Sequence, residues 1–347
     1  MSNEFDLIKY RKDILDTKSE SFCGAKWYNA TTWLGSGTTA SCHHPPAHKI
    51  PLHEIAVNPS AIHNTQHKKA MRKMMQNGER PRECEYCWKV EDMPTEAVSD
   101  RVYKSIIYSN DDLQKAQDAD FNDNTLLKTF EIAFDRTCNL ACSYCNSSFS
   151  TTWAKDIKKN GPYQNMVSDG AAAFQHDGEW ADPYGKKQEN PYVTAFWDWW
   201  DDGLSKSLEE LRVTGGEPLM SDQVWKLFDW FQKNPSDMRF AVNSNLIAKP
   251  SIIDKVIEKS HGLKHFHLYT SCESTGKQAE YIRDGLDYDM WYNNVVRLIK
   301  EGNCEGINIM MTVNSLCLFN ITDFLEDVFK LKEINQSKTP VFSVNLL

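Results

Sequence analysis

From Leu126 to the end of the chain, short apolar segments alternate with longer segments whose apolar residues recur at helical spacing. This alternation is typical of βα units, because a crossover helix commonly joins two parallel strands. The predicted strands are 128–135, 210–214, 239–244, 264–271, 306–313 and 340–346. The predicted helices are 222–234, 251–260, 291–301 and 322–332. We therefore predict an α/β fold, with an open, partial (β/α)6 TIM-like barrel over residues 126–347.

Residues 1–125 lack this alternation of strand and helix patterns. They contain four of the ten cysteines, many histidines and a single clear helical pattern at 67–77. We predict that they form a separate small domain held together by metal.

The bulk composition excludes several classes of protein. Neither the start of the chain nor any later stretch contains the run of about 18 apolar residues that a membrane span needs. The cysteines fall mainly into groups with metal-ligand spacing, which indicates metal binding in a reducing cytoplasm rather than disulfides. A net charge of −9 makes nucleic acid an improbable partner. The alternative is that nucleic acid binds to a local basic groove at Lys68, Lys69, Arg72 and Lys73. We favour the interpretation that these residues form one solvated helix face.

Three cysteines directly follow the first of these strands. Cys138, Cys142 and Cys145 have the spacing C-x3-C-x2-C. A 4Fe-4S cubane takes four ligands, so three thiolates leave one iron open to bind another molecule. The alternative is a zinc site that a distant residue completes.

With Tyr144 before the last cysteine, this motif resembles that of the radical S-adenosylmethionine (SAM) superfamily. The resemblance covers most of residues 126–347. It implies a cluster whose open iron is chelated by SAM, and whose electron cleaves SAM to methionine and a 5'-deoxyadenosyl radical. It also implies an electron donor such as flavodoxin or ferredoxin.

The segment Thr214-Gly-Gly-Glu-Pro218 resembles the family's GGEP motif. Gly215 and Gly216 allow a close approach of the backbone to a ligand, and Glu217 can accept hydrogen bonds from the amino group of SAM. A plain turn at the end of a strand uses the same residue types.

Polar residues also follow the later strands, where ligands bind in barrels of this kind. The resemblance implies that they contact SAM. The alternative roles are those of helix caps or turn residues and, for the arginine, of a surface ion pair. The residues are Ser244, Asn245, Ser271, Glu273 and Arg283.

A second group, Cys23, Cys42, Cys84 and Cys87, has the pattern C-x13-G-x4-C-x41-C-x2-C. It resembles the twitch domain, a shortened relative of the SPASM domain, which implies an auxiliary 4Fe-4S cluster. Such domains usually follow the barrel, whereas these residues precede it. Zinc is the alternative occupant, since four thiolates also satisfy a structural zinc site. His43 and His44 are candidate substitute ligands, although we favour exposed loop positions for both.

The resemblance leaves the substrate open. We favour a peptide or protein over sugars, nucleosides and small metabolites. The alternative function is a non-catalytic iron-sulfur or zinc protein that carries electrons or acts as an interaction module. The three other cysteines, Cys272, Cys304 and Cys317, are predicted to be buried and apolar in role. Relatives normally continue with at least one helix after the sixth strand, so we expect a short or truncated chain.

Overall fold

The structure is a computed structural model, and it describes residues 6–95, 97–163, 174–184, 188–335 and 341–346. None of the helices in these ranges has the length and apolar character that crossing a membrane requires. The chain divides into two compact units. The first unit contains Met1–Thr32, Gly37–Glu131 and Glu189–Leu208, and the second contains Trp33–Ser36, Ile132–Gln188 and Glu209–Leu347.

The first unit combines short strands with many short helices. Strands β1 (Asn29–Trp33), β2 (Thr38–Ala40), β3 (His48–Lys49) and β4 (Thr129–Ala133) follow the order β4-β1-β2-β3. Its helices are Leu7–Tyr10, Ala25–Tyr28, Leu52–Val57, Gln66–Gln76, Glu85–Glu91, Asp100–Ser105, Asn110–Asp118, Pro191–Trp199 and Ser205–Ser207, with π-helical turns at Arg11–Leu15 and Trp200–Leu204 and 3-10 turns at Pro59–Ile62 and Arg82–Cys84.

Two sequence-based expectations for this unit are wrong. The expected single helix is present at Gln66–Gln76, but several shorter helices accompany it, and these are too short to give a clear periodic pattern. Three of the four basic residues that we expected on a solvated helix face are also buried, namely Lys68, Lys69 and Arg72, whereas Lys73 is exposed. Lys68 donates to Thr39 Oγ1 at 2.9 Å, and Arg72 donates to Asn64 Oδ1 at 2.9 Å, so hydrogen bonds compensate the buried charges.

The second unit contains a parallel sheet. Strands β5 (Ala141–Cys142) and β9 (Arg283–Asp284) form a separate antiparallel pair. The parallel sheet contains β6 (Glu210–Thr214), β7 (Arg239–Ser244), β8 (Phe266–Ser271), β10 (Gly306–Met311) and β11 (Val341–Leu346). The order of these parallel strands is β11-β10-β8-β7-β6, and each pairs with its neighbour in parallel. All six predicted strands are confirmed within a few residues at their ends, and the mixed α/β class is confirmed with them.

The helices of this unit are Thr151–Asn160, Asp222–Lys233, Pro250–Ser260, Gly276–Ile282, Tyr288–Glu301 and Ile321–Ile334, with 3-10 turns at Glu179–Ala181 and Pro218–Met220. The four predicted helices are all present.

One face of the sheet packs against these helices. Phe228 of helix Asp222–Lys233 lies with its ring centroid 5.2 Å from that of Phe240 and 5.4 Å from that of Phe266. Because side chains alternate along a strand, the residues between these apolar positions face the other way. That second face carries the polar residues on which the site depends.

Candidate functional site

The loop after β4 brings three thiols to one cavity of about 220 Å³. Cys138, Cys142 and Cys145 all line it. Cys142 belongs to β5, which pairs antiparallel with β9, and Cys145 donates its backbone N–H to Cys142 O at 3.0 Å. This pairing and the tight turn hold the cysteine loop against the rest of the site.

Burial dominates the acidity of the three free thiols. It raises the pKa of Cys138 to about 11 and that of Cys145 to about 12. Burial also raises the pKa of Cys142, and the guanidinium of Arg283 opposes this rise. The three thiols are therefore protonated at neutral pH until a metal displaces their protons.

The two glycines after β6 approach the cysteine loop closely. A Cβ at Gly216 would lie 2.4 Å from Thr137 O, and Gly215, at φ +124°, would place a Cβ 2.8 Å from Asp135 O. The next residue, Glu217, donates its N–H to Thr137 O at 2.6 Å. Glycine is required here because the backbones of two loops meet with no room for a side chain.

Glu217 is 4% exposed and accepts three hydrogen bonds. Its Oε1 accepts from Leu219 N at 3.0 Å and from Ser244 Oγ at 2.7 Å, and its Oε2 accepts from Asn245 N at 2.7 Å. Burial raises the pKa of this carboxyl, while the hydrogen bonds oppose the rise. Glu217 therefore ties the end of β6 to the end of β7.

Ser244, Asn245 and Ser271 line the same cavity. The Asn245 side chain donates to Asn139 Oδ1 at 2.9 Å, which joins the end of β7 to the cysteine loop. Leu246, which follows, has φ 57°, a left-handed conformation that is uncommon outside glycine.

Arg283 and Glu273 form a buried ion pair, with side chains 4% and 1% exposed. The alternative of a surface ion pair is therefore wrong. Arg283 Nη2 donates to Glu273 Oε2 at 2.6 Å, and its guanidinium lies 5.2 Å from the centre of the Tyr144 ring. Arg283 Nη1 is also 3.9 Å from Cys142 Sγ. The pair thus connects β9 with the cysteine loop.

Four residues of the cavity were not among the predicted site residues. They are Leu140, Phe149, Thr214 and Asn243. Thr214 and Asn243 lie at or near the carboxyl ends of predicted strands, a position that could have indicated them. Leu140 and Phe149 are apolar loop residues without any such signal.

The four other predicted ligands share a second cavity, in the first unit. Cys23, Cys42, Cys84 and Cys87 line a space of about 20 Å³. Three of the four, all except Cys42, belong to the apolar core of this unit, where Trp27 and Trp88 are also buried. His43 is exposed and His44 is half-buried.

Cationic side chains surround these four thiols. Lys26 is buried and pairs with Glu83, and although burial alone would lower the pKa of Lys26, nearby Cys84 and Glu83 raise it. Arg101 and Lys104 line the same cavity. Burial raises the pKa of Cys84 to about 12 and that of Cys87 to about 11, and it also raises the pKa of Cys42. The ammonium of Lys26 opposes the rise at Cys42 and Cys84.

Within the described ranges, no group of three or more His, Cys, Asp or Glu side chains is arranged to hold a metal ion. What the cysteines of each group share is a cavity. Cys272, Cys304 and Cys317 are buried, as predicted.

No family model and no curated protein sequence matches the chain. It is similar to solved structures of SuiB from Streptococcus suis. One SuiB structure has a TM-score of 0.40 at 13% identity and covers 85% of this chain and 54% of SuiB. SuiB bound to S-adenosylmethionine matches with a TM-score of 0.40 at 14% identity, over 82% of this chain and 52% of SuiB. SuiB bound to precursor peptide SuiA matches with a TM-score of 0.39 at 13% identity, over 83% of this chain and 54% of SuiB. The chain spans about half the length of these structures.

Proposed function

We propose that this chain is a radical SAM enzyme that binds a 4Fe-4S cluster through Cys138, Cys142 and Cys145. The observation that carries the proposal is the single cavity that these thiols share with Gly215, Gly216 and the polar ends of β6, β7 and β8. An electron carrier or a structural zinc site has no use for a space of about 220 Å³ beside its ligands.

The residues present fit such a cluster and SAM. Three thiols leave one iron of a cubane without a protein ligand. Glu217 Oε2 accepts one hydrogen bond within the described chain, so it keeps capacity for a donor such as the amino group of SAM. Glu217 does not itself line the cavity of the three cysteines, but Ser244 and Asn245, which donate to it, do, together with Ser271.

When bound, the cluster would supply the electron that cleaves SAM to methionine and a 5'-deoxyadenosyl radical, which abstracts hydrogen from the substrate. The chain's own residues orient and shield this chemistry. Glu217 holds the ends of β6 and β7 together, so its free acceptor position is preorganised. Arg283, paired with Glu273, places a positive charge beside Cys142 and favours the thiolate.

We also propose that the first unit is twitch-like, with a second 4Fe-4S cluster on Cys23, Cys42, Cys84 and Cys87. Their common cavity and the cations Lys26, Arg101 and Lys104 support an anionic metal centre at this place. Zinc would satisfy the same thiols. A flavodoxin or a ferredoxin is the proposed electron donor, a peptide or protein is the proposed substrate, and residues 126–347 are the proposed partial barrel.

SAM cleavage tests the proposed function. Anaerobically reconstituted protein, given dithionite and SAM, should release 5'-deoxyadenosine. Cys138→Ala, Cys142→Ala and Cys145→Ala should each abolish this release and lose the iron of one cubane, because two thiolates hold a cubane poorly. Cys304→Ala is the matched control, since Cys304 is a buried cysteine of the same unit outside both groups. Full SAM cleavage by the three variants, or none by the parent, would exclude the proposal.

A further inference from the structure

The cavity of the four cysteines in the first unit contains a hydroxyl group without a partner. Ser41 lines this cavity together with Cys23, Cys42, Cys84 and Cys87. The residue is 2% exposed, and its Oγ is buried with no hydrogen-bond partner among the described residues. A buried hydroxyl that makes no hydrogen bond is costly, and a ligand that accepts its proton would relieve that cost.

The backbone of Ser41 is held in place. Ser41 directly follows β2, and its carbonyl oxygen accepts a hydrogen bond from Asn29 Nδ2 at 2.6 Å. Lys68 donates to Thr39 Oγ1 at 2.9 Å and to Ala40 O at 3.1 Å, so the end of β2 is fixed as well. The hydroxyl can therefore reach a partner only by rotation of its own side chain.

The other polar side chains of the cavity wall, apart from the cysteines, already have partners. The pairs are Asp100 with His44, Lys26 with Glu83, Arg101 with Glu91 and Lys104 with His43. Apolar residues such as Met75 and Trp88 complete the wall. The sulfur atoms of the four cysteines are therefore the side-chain acceptors that remain for Ser41.

Hydrogen bonds from the chain already reach the thiols of this group. The backbone N–H of His44 donates to Cys42, and the ammonium of Lys26 donates to Cys84. Burial raises the pKa of both thiols, and these hydrogen bonds oppose the rise. The wall of the cavity thus presents donors to sulfur, and hydrogen bonds to the sulfur atoms are among the features that set the reduction potential of an iron-sulfur cluster.

We propose that Ser41 donates a hydrogen bond to a sulfur atom of the metal centre on Cys23, Cys42, Cys84 and Cys87, and thereby raises the reduction potential of that centre. This inference rests on the proposed second 4Fe-4S cluster. Reduction from [4Fe-4S]2+ to [4Fe-4S]+ adds one electron, here from dithionite, and transfers no proton. A hydrogen bond stabilises the more negative state more strongly, so the hydroxyl favours the reduced cluster.

A redox titration followed by electron paramagnetic resonance tests this role without any catalytic step. The full chain with Cys138→Ala is the reference protein, because it should keep only the second cluster. Adding Ser41→Ala should move the ratio of reduced to oxidised cluster at a given potential about tenfold towards the oxidised form, which for one electron is a fall of about 59 mV. Ser41→Thr keeps a hydroxyl and should restore most of the reference potential. Iron content should be the same in all three proteins.

Ser60→Ala is the matched control. Ser60 is also a buried serine of the first unit, but its hydroxyl donates to Asn58 Oδ1 at 2.8 Å and it does not line the cavity. This variant should leave the reduction potential unchanged. If Ser41→Ala does not assemble the cluster, Ser41→Val replaces it, because valine and threonine have nearly the same shape and only threonine has a hydroxyl.

Three results would overturn the inference and leave the second cluster in place. They are an unchanged potential in Ser41→Ala, an equal shift in Ser60→Ala, and a potential in Ser41→Thr as low as that in Ser41→Ala. One zinc per chain and no redox signal from the Cys138→Ala protein would overturn the second cluster together with the inference. Release of 5'-deoxyadenosine by the parent would in that case still support the proposed function of the first site.

Discussion

Replacing Glu217 by Gln separates its role in joining two strand ends from its proposed role in binding SAM. Glu217 accepts from Leu219 N, Ser244 Oγ and Asn245 N at distances of 2.7 to 3.0 Å. A glutamine amide has one oxygen and one NH2 group. If its oxygen keeps the bonds to Leu219 and Ser244, its NH2 must face the N–H of Asn245. One donor of the chain then loses its acceptor in a buried position.

The loss of one hydrogen bond to a charged acceptor costs about 1.5 to 3 kcal/mol. Part of this cost is offset because glutamine removes a charge whose burial is unfavourable, as the raised pKa of Glu217 indicates. We therefore expect the free energy of unfolding to fall by about 1 to 2 kcal/mol. SAM should bind about tenfold to a hundredfold more weakly, because its amino group loses the same kind of acceptor.

Guanidinium titration measures the first effect, and equilibrium dialysis of SAM against reconstituted protein measures the second. Iron content should not change, since no cysteine is altered. Glu258→Gln is the matched control, because Glu258 is exposed on helix Pro250–Ser260. If the variant loses stability but binds SAM as tightly as the parent, Glu217 only joins two strand ends. Unchanged stability would refute the account of its hydrogen bonds.

Gly216→Ala should destabilise the chain by about 1 to 3 kcal/mol and lower its iron content, because the new Cβ would meet Thr137 O at 2.4 Å. Gly262→Ala, whose Cβ would meet only the flexible Gln232 side chain, should change neither quantity. His63 is buried, and its pKa is lowered well below the usual value by burial and then by Arg72. The unfolded chain binds a proton here with a pKa near 6.5 and the folded chain does not. The free energy of unfolding should therefore be lower at pH 5.5 than at pH 7 by about 1.2 kcal/mol from this residue. A His63→Gln variant that keeps the same slope of unfolding free energy against pH would contradict this. Metal analysis of anaerobically purified protein should find about eight irons per chain and no zinc, whereas about four irons with one zinc would replace the second cluster by a structural zinc site.

The strands, the main helices of the second unit and the cysteine motif follow from the sequence because each is a short-range pattern. Apolar residues at period two or near 3.6 report which side of an element meets the core, whatever that core contains. The spacing of Cys138, Cys142 and Cys145 likewise forces their thiols into one loop. The glycines of Thr214-Gly-Gly-Glu-Pro218 indicate a close approach even before its partner is known.

The partners of these groups were decided only by the tertiary structure. The backbone that requires Gly216 to be a glycine belongs to Thr137, about eighty residues earlier in the chain. Arginine is usually a surface residue, yet Arg283 is buried. Its guanidinium pairs with the carboxylate of Glu273 and packs against the ring of Tyr144. Lys68 and Arg72 look like one solvated helix face, and they are buried because distant carbonyl, amide and hydroxyl oxygens accept their hydrogen bonds. A local pattern records how often a residue type meets water, whereas burial of a polar group depends on acceptors that only the folded chain brings within reach.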